Sequence, residues 1–284
     1  YLRYFQYFKN KIVFYFHNDP LSMTGSISLN DRMFILNICH KIIFNSEWTK
    51  KRFFLGLENF YHNSEKIEVI YQSTSRKKVN IKKKEKIITF VGKLNRSKGY
   101  DLFGKAILKI LNEFKDWKAI VFGDEHREKI NFNHKRLIKM GYKSNQVILK
   151  TYEKSSLAVA CSRWDEPFGR SSLEASSRGC AVIISNKGGL PETITDGIIL
   201  NKLSVNEIYK NIKNLLVNQN KLKEIQLKSY KNFYLDNKFI SKKIDRYRSN
   251  FFNKTTEYKK KLKILHITNF NVRHNGRLFY NTGR

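Results

Sequence analysis

Short apolar runs that alternate with helical segments are the feature that most restricts the fold of this 284-residue sequence. In the first quarter of the chain the runs are KIVFYF (11–16), KIIFNS (41–46) and KIEVIY (66–71). Their β-branched and aromatic residues favour buried strands. The intervening segments, 28–40 and 46–57, have the apolar spacing of helices. Strands separated by helices in this way predict a parallel sheet with crossover connections.

A second series of alternating elements follows a polar, basic segment. QSTSRKKVNIKKKE, at 72–85, has the composition of a linker. KIITFV, at 86–91, is the first strand of a series long enough for a complete doubly wound domain. The predicted elements after it are helices at 101–114, 134–142 and 171–179, strands at 117–123 and 181–186, short apolar elements at 146–151 and 156–162, and a Lys-rich helical region at 205–252.

We therefore expect an α/β protein with two doubly wound, Rossmann-type domains, of which the N-terminal one is incomplete. Residues 1–75 form the partial N-terminal domain, and 76–85 the basic linker. Residues 86–235 form the C-terminal domain, and 236–258 a helix that returns towards the first domain. At 260–284, a new apolar strand and a polar loop predict either the start of a further α/β module or an extra strand on the first sheet.

The formal net charge of +31 has two explanations. A coding bias towards Lys, Asn and Ile would scatter lysines through every segment, as they are scattered here. Alternatively, the charge attracts the chain to an anionic membrane leaflet, to nucleic acid or to phosphorylated substrates. The hydrophobic fraction of 41% is ample for a packed core, which excludes wholesale disorder.

The cysteines and the apolar runs bear on the compartment. Cys39, Cys161 and Cys180 have no metal-type spacing, which indicates buried thiols in a reducing cytoplasm. No apolar run approaches the roughly 18 residues that a membrane span needs. We expect a cytoplasmic protein, with peripheral attachment to the inner face of the cell membrane as the alternative.

The segment CSRWDEPFGRSSLEASSRGCAVIISNKGGLPETI (161–194) places Glu166 and Glu174 eight positions apart, around a Pro-Phe-Gly turn. In an open parallel sheet, ligands bind at the carboxyl ends of the strands, where helix N-termini point. The turn leaves backbone N–H groups for a phosphate or for sugar hydroxyls, and Gly169 allows close approach. Glu166 can reach atoms held at the turn, whereas Glu174, about one helical turn onward, suits the vicinal hydroxyls of a ribose. The alternative is two ordinary surface acids.

A second cluster lies in FVGKLNRSKGYDLF (90–103), where Lys93 and Lys98 flank a polar loop between a strand and a helix. Two ammonium groups at the carboxyl end of a first strand can offset the charge of a diphosphate. In a chain so rich in lysine, two solvated surface lysines are the alternative.

Together these segments resemble the retaining glycosyltransferases of family 4, which have the GT-B fold of two Rossmann-type domains. FVGKLNRSKGYDL is similar to the family's G-(R/K)-L…KG segment, EPFGRSSLEA to its E-x7-E motif, and GCAVIISNKGGLPE to the strand and Gly-Gly-x-Pro-Glu loop that follow. VFYFHNDPLS and IIFNSEW resemble the acceptor-side domain, and KIEVIYQS the segment before the hinge. The resemblance covers residues 11–252.

The resemblance implies a role for each matching residue. Lys93 and Lys98 would contact the donor diphosphate, Glu174 the ribose and Glu166, as a catalytic residue, the transferred sugar. His17, the second catalytic candidate, matches the position that faces the sugar across the cleft; its alternative is a strand-end histidine with structural hydrogen bonds. The remaining donor-binding positions are Phe168, Gly169 and Arg170 at the sugar site, and Gly188, Gly189 and Glu192 in its wall.

The function implied is that of a retaining, metal-independent glycosyltransferase of the hexosyl-transferring type, with no cofactor other than its donor substrate. It would move a sugar from a nucleotide-diphosphate sugar to a glycan or lipid-linked acceptor in cell-surface polysaccharide biosynthesis. The step would depend on charge stabilisation and positioning more than on a strong base. Lys93 departs from the family, in which many members have Arg.

Two other classes remain as alternatives to the enzyme. One is a catalytically silent module with the donor-binding fold, and the other is a basic protein that binds nucleic acid or a membrane surface. No nucleic-acid recognition motif is present, so nucleic acid is not an expected partner. LKILHITNFNVRHNG, near the C-terminus, resembles the opening of an acceptor-side domain. We expect the chain to be a fragment of a longer, tandem protein rather than a permuted one.

Overall fold

The computed structural model describes Tyr7, residues 11–58 and 64–252, and two strands between 270 and 280. The chain divides into two units, Tyr1–Ile240 and Ser241–Arg284. Both predicted sheets lie in the first unit, so the site can be built from that unit alone.

The first sheet consists of three parallel strands, β1 (Val13–Phe16), β2 (Lys41–Phe44) and β3 (Ile67–Val69), in that spatial order. Its core is aromatic: the rings of Phe16, Phe44 and Phe53 lie with their centroids 5.1–5.3 Å apart. Ser28 and Ser46 cap the two helices of this region, because each hydroxyl accepts a hydrogen bond from the backbone N–H three residues later. The alternation predicted for this region is confirmed. Its elements are β1 (Val13–Phe16), α1 (Leu29–Ile38), β2 (Lys41–Phe44), α2 (Glu47–Phe54) and β3 (Ile67–Val69).

The second sheet has six parallel strands, β4 (Glu85–Val91), β5 (Lys118–Phe122), β6 (Leu137–Lys139), β7 (Ser155–Ala160), β8 (Ala181–Ser185) and β9 (Ile198–Leu200). Their order is β6-β5-β4-β7-β8-β9, so the direction of winding reverses between β4 and β7. This is the doubly wound, Rossmann-type order, and the predicted fold class is confirmed. In such sheets the ligand crevice lies at the reversal, outside the carboxyl ends of the strands.

Five helices cover the two faces of this sheet: α3 (Tyr100–Glu113), α4 (Asn145–Lys154), α5 (Arg170–Ser177), α6 (Val205–Val217) and α7 (Gln219–Asn232). The main core lies between the central strands and α3 and α6, where Ile88, Phe103, Leu157 and Ile212 are fully buried. The long helical region predicted at 205–252 is three helices. Asn218 ends α6 and its side chain caps α7.

The helix predicted at 134–142 is wrong. Leu137–Lys139 pairs with β5 as strand β6, and the N–H of Met140 extends the ladder to the carbonyl of Val121 at 2.9 Å. So short an apolar run has no distinguishable periodicity, and pairing with a neighbouring strand decides its conformation. The apolar elements at 146–151 and 156–162 lie in α4 and β7.

The basic segment before the second sheet is held by hydrogen bonds to several later parts of the chain. Thr74 exchanges backbone hydrogen bonds with Leu235 and Asn237, both at 3.2 Å. The guanidinium of Arg76 donates to the carbonyls of Tyr230 and Phe233. Farther on, Lys84 donates to the carbonyls at the ends of α4 and α5, and burial lowers its pKa. A segment with the composition of a linker is therefore well ordered here.

Helix α8 (Asn237–Phe252) begins in the first unit and ends in the second. The second unit also contains β10 (Phe270–His274) and β11 (Arg277–Tyr280), which form an antiparallel pair. The apolar strand predicted after residue 260 lies outside the described residues. None of the helices that the structure describes is long and apolar enough to span a membrane.

Candidate active site

The loop after β4 and the loop after β7 are joined by hydrogen bonds at the point where the sheet reverses. The carbonyl of Ser97 accepts from the N–H groups of Arg163 and Trp164 at 2.8 and 3.1 Å. Arg163 also forms a bidentate ion pair with Asp101 at the start of α3, at 2.6 and 2.8 Å. These contacts fix the first loop against the second.

Gly99 makes this close packing possible. Its φ is +73°, and a Cβ at this position would lie 1.9 Å from the carbonyl oxygen of Cys161. Only glycine combines a left-handed conformation with such an approach. The chain therefore turns into α3 directly against the end of β7.

The joined loops bring Lys98 to Glu166, 68 residues apart in sequence. The distance from Lys98 Nζ to Glu166 Oε1 is 2.5 Å, and the two side chains are 32% and 13% exposed. A partly buried ion pair is screened less by salt than a surface pair. Lys93 lies earlier in the same loop and is exposed. Two predicted site residues, Lys98 and Glu166, are thus in contact, and Lys93 lies in the same loop as Lys98.

Glu174 lies on α5 and is only 4% exposed. Its Oε1 accepts from Asn145 Nδ2 at 2.9 Å and from Arg170 Nη2 at 3.2 Å. A buried carboxylate needs such partners, because burial without them would disfavour its charge. Both hydrogen bonds fall on the same oxygen of the carboxylate, Oε1.

Asn145 was missed by the sequence reasoning. It is the first residue of α4, and Ser144-Asn145 before an apolar run is a typical helix start. The helix wrongly predicted at 134–142 hid this signal.

The turn between the two acids leads directly into the N-terminus of α5. Gly169, at φ +111°, precedes the helix without a side-chain cap. A Cβ there would meet Leu190 Cδ2 at 2.5 Å. The first N–H groups of α5 are consequently available to an anion or to hydroxyl oxygens, and the helix dipole favours the anion. The ring of Phe168 is buried against Tyr71, with centroids 5.6 Å apart.

Gly188 and Gly189 pack against the backbone of the first acid. The N–H of Gly189 donates to the carbonyl of Glu166 at 2.6 Å. A Cβ at Gly188 would meet that same oxygen at 2.2 Å. The two glycines therefore help to fix the position of Glu166.

Glu192 has its hydrogen-bond partners in the region of the first sheet. It was predicted to lie in the donor wall. Its Oε2 and Oε1 accept from the backbone N–H groups of Glu47 and Trp48, at 2.7 and 2.9 Å. These are the first two residues of α2, in the region of the first sheet. Since spacing along one segment says nothing of such a distant partner, the sequence held no signal for this contact.

His17 follows β1 at the carboxyl edge of the first sheet. Its carbonyl accepts from Asn45 Nδ2 at 2.9 Å, and its Nδ1 lies 3.2 Å from Gln72 Nε2. Gln72 follows Tyr71, whose ring stacks on Phe168. The edge that carries His17 thus continues to the turn that carries Glu166.

A metal site was not expected. Within the described ranges, no group of three or more His, Cys, Asp and Glu side chains is placed to hold a metal ion.

The family comparison adds to this geometry. Residues 72–232, more than half of the chain, match the model of the glycosyl transferases group 1. This chain belongs to that family. The matched range contains the loop of Lys93 and Lys98, both acids of the E-x7-E motif and the Gly-Gly loop.

Curated relatives of the family match over part of their length. Spore coat protein SA of Bacillus subtilis is 30% identical over 126 residues, which are 40% of this chain and 33% of that protein. The lipopolysaccharide core biosynthesis mannosyltransferase LpcC of Rhizobium leguminosarum is 31% identical over 116 residues, 37% of this chain and 33% of the relative. The chain thus matches these two relatives over about a third of their length.

The solved structures and the family match together show a fold of the GT-B type. HepE of Anabaena, in complex with UDP and glucose, aligns with a TM-score of 0.69 at 18% identity, over 85% of this chain and 72% of HepE. TarM aligns with a TM-score of 0.64 at 17% identity, over 84% of this chain and 50% of TarM. At these identities the likeness concerns the fold alone, and it agrees with the predicted class.

Proposed function

We propose that this chain carries the donor-binding part and a portion of the acceptor-binding part of a retaining glycosyltransferase. The enzyme transfers a sugar from a nucleotide-diphosphate sugar to a glycan or lipid-linked acceptor. The observation that carries the proposal is the meeting of Lys98 and Glu166 at 2.5 Å, at the reversal point of a doubly wound sheet. Membership of the glycosyl transferases group 1 and the solved structures with UDP and UDP-glucose support it.

The donor would lie across the loops that follow β4 and β7. Its diphosphate would meet the N–H groups at the start of α5 and the ammonium groups of Lys93 and Lys98. Backbone N–H groups at a helix N-terminus, together with nearby ammonium groups, are a common means of binding phosphate. Glu174 would accept from the ribose hydroxyls through its second oxygen, while Asn145 and Arg170 hold the first.

The transfer step itself needs little from a protein base. The bond between the anomeric carbon and the diphosphate oxygen breaks, and a bond to the acceptor oxygen forms on the same face. The acceptor proton passes to the departing diphosphate. Glu166, freed from Lys98 as that lysine turns to the diphosphate, would face the sugar ring, with His17 on the opposite side of the cleft. Preorganised charges supply the stabilisation, so we propose that the chain's own cations serve where other enzymes use a metal.

Three observations support a glycan or lipid-linked acceptor at a membrane surface. Relatives carry names that refer to lipopolysaccharide core, to a spore coat and to a cps region. A net charge of +31 would attract the chain to an anionic membrane leaflet where lipid-linked acceptors lie. Three free, buried cysteines fit the cytoplasmic side of that membrane.

A paired substitution tests the proposal. We expect the chain to bind UDP or GDP saturably, and Glu174→Ala to weaken this binding by at least about tenfold, because the ribose loses a buried acceptor. Glu166→Gln should leave nucleotide binding within about twofold and slow hydrolysis of the corresponding nucleotide-sugar by about a hundredfold. Isothermal titration and a donor hydrolysis assay measure the two effects.

Glu224→Ala is the matched control, because Glu224 pairs with Lys228 on the exposed face of α7. A catalytically silent binding module would bind the nucleotide but would not hydrolyse the nucleotide-sugar. Binding of any polyanion, with an affinity that falls steeply with salt, would instead indicate the nucleic-acid alternative. If both glutamate variants behaved like the control, the site assignment would be wrong.

A further inference from the structure

The two sheets of the first unit meet along a short surface that we call the seam. On one side it contains Ser46, the first turn of α2, and Tyr71; on the other it contains Pro167-Phe168 and Glu192. Ser46 Oγ donates to the carbonyl of Pro167 at 2.6 Å. Gly189 lies against the same serine, since a Cβ there would be 3.0 Å from Ser46 Cβ. The seam therefore joins the first region, which contains the first sheet (11–71), to the second region, which contains the second sheet (85–232), by specific contacts.

Glu192 completes the N-terminus of α2 from across the seam. Ser46 accepts from the N–H of Thr49 at 2.9 Å, as an ordinary cap does. The preceding N–H groups, of Glu47 and Trp48, would remain without an intrahelical partner, and both donate to Glu192. The helix is thus capped by one residue from each region. A carboxylate at this position is stabilised further by the helix dipole.

The segment that carries Glu192 also contacts the candidate catalytic acid. Gly188 and Gly189 pack on the backbone of Glu166, and a short helical turn, Leu190–Thr193, follows them directly. One continuous segment therefore contacts Glu166 at one end and α2 at the other. Burial and the nearby carboxylate of Glu192 raise the pKa of Tyr71, whose ring stacks on Phe168.

We infer that Glu192 is a positioning residue that holds the edge of the first sheet, with His17, against the turn that carries Glu166. It acts through α2 and the Gly-Gly loop and does not touch the donor. For its kinetic readout this inference rests on the proposed sugar transfer, whereas its structural readout does not depend on that function.

The structural test measures the distance between the two regions in the 284-residue chain. Spin labels at Leu29→Cys and Val217→Cys use exposed positions on α1 and α6, and the three native cysteines are buried and unreactive. We expect a narrow distance distribution in the chain with Glu192, a clearly broader one with Glu192→Ala, and an intermediate one with Glu192→Gln. The amide of Gln keeps one acceptor oxygen but loses the charge.

The kinetic test separates positioning from donor binding. Glu192→Ala should lower kcat of donor turnover about tenfold, because misplaced groups react slowly even when both are present. The KM for the donor and the affinity for the nucleotide should stay within about twofold, since Lys98 and Glu174 lie wholly in the second region. Glu192→Gln should recover part of kcat, and Glu224→Ala should change neither quantity.

Three results would overturn the inference. One is an unchanged distance distribution with Glu192→Ala. The second is a loss of nucleotide affinity as large as that of Glu174→Ala, which would return Glu192 to the donor wall. The third is a kcat equal to that of the unsubstituted chain. If that chain neither bound nucleotide nor hydrolysed a donor, the proposed function would fail, and the distance measurement would still decide the role of Glu192.

Discussion

The donor edge and the first-sheet edge face each other at the site but are held in place differently. The donor edge consists of the loops after β4, β5 and β7. Its loops bind one another: Asn95 Nδ2 donates to Glu125 at 3.1 Å, and the N–H of Arg96 donates to Glu128 at 3.0 Å. The first-sheet edge consists of the residues after β1, β2 and β3. There, Asn45 and Gln72 contact His17, and the seam supplies further attachment.

This difference indicates how the two edges would respond to a ligand. The donor edge is assembled by contacts within its own sheet, so a nucleotide-sugar would meet a prepared site and little ordering would oppose binding. The first-sheet edge depends on α2 and on residues of the other region. Substitutions in the donor edge should consequently affect folding and donor binding, and substitutions at the seam should affect alignment.

The most severe test of the donor edge is Gly99→Ala. We expect it to lower the free energy of unfolding by about 3–5 kcal/mol, because the methyl group meets the Cys161 carbonyl and the residue is left-handed. Urea denaturation followed by circular dichroism measures this change.

Gly141→Ala is the matched control for that substitution. Gly141 also has a positive φ, of +65°, but no atom lies within 4 Å of a Cβ added there. Its cost should be about 1 kcal/mol, from backbone conformation alone. Equal losses at the two glycines would mean that packing between the β4 and β7 loops does not hold the donor edge together.

Within the donor edge, Lys98 and Lys93 should contribute unequally. We expect Lys98→Gln to lower kcat/KM for donor turnover about a hundredfold and Lys93→Gln about fivefold, because only Lys98 is half-buried and adjacent to Glu166. Steady-state kinetics at two ionic strengths measures both values. The contribution of Lys93 should shrink with added salt, while that of Lys98 persists. A larger effect at Lys93 than at Lys98 would mean that Lys93 makes the stronger contact with the diphosphate.

The same contrast explains what the sequence could predict. Segments such as 86–91 and 181–186 are continuous apolar, β-branched runs, and their alternation with helical segments predicts a doubly wound sheet directly. Most of the candidate site residues could also be predicted, because Glu166, Glu174 and the Gly-Gly loop follow one another within a single segment and resemble a known motif. For both features, neighbours in the chain carried the information.

What the sequence could not predict depends on partners far along the chain. Strand β6 has only three residues, and pairing with β5 decides its conformation. Asn145 reaches Glu174 from a helix whose start was obscured. Glu192 meets α2 across 145 residues of sequence, and Gln72 meets His17 across 55. The contacts of the first-sheet edge are of this kind, so sequence reasoning named His17 and missed its partners.

The smallest predicted effect asks whether the two regions unfold together. Burial raises the pKa of Cys39, in the first region, and of Cys161, at the donor edge, to about 12 each, from a usual value of 9.0. Between these values the unfolded thiol has lost its proton and the folded one has kept it. Stability is therefore fully present below pH 9 and falls as pH rises towards 12.

Between about pH 9.5 and 10.5 the free energy of unfolding falls as pH rises, and replacing either cysteine with Ala should make this slope shallower by about 1.4 kcal/mol per pH unit. Both regions lie in one unit, so each variant should change the same single transition in urea denaturation. The slope, unlike the midpoint, is insensitive to the cavity that Ala leaves. If Cys39→Ala altered only an earlier, separate transition, the first sheet would be shown to unfold alone, and the seam would be weaker than its contacts indicate.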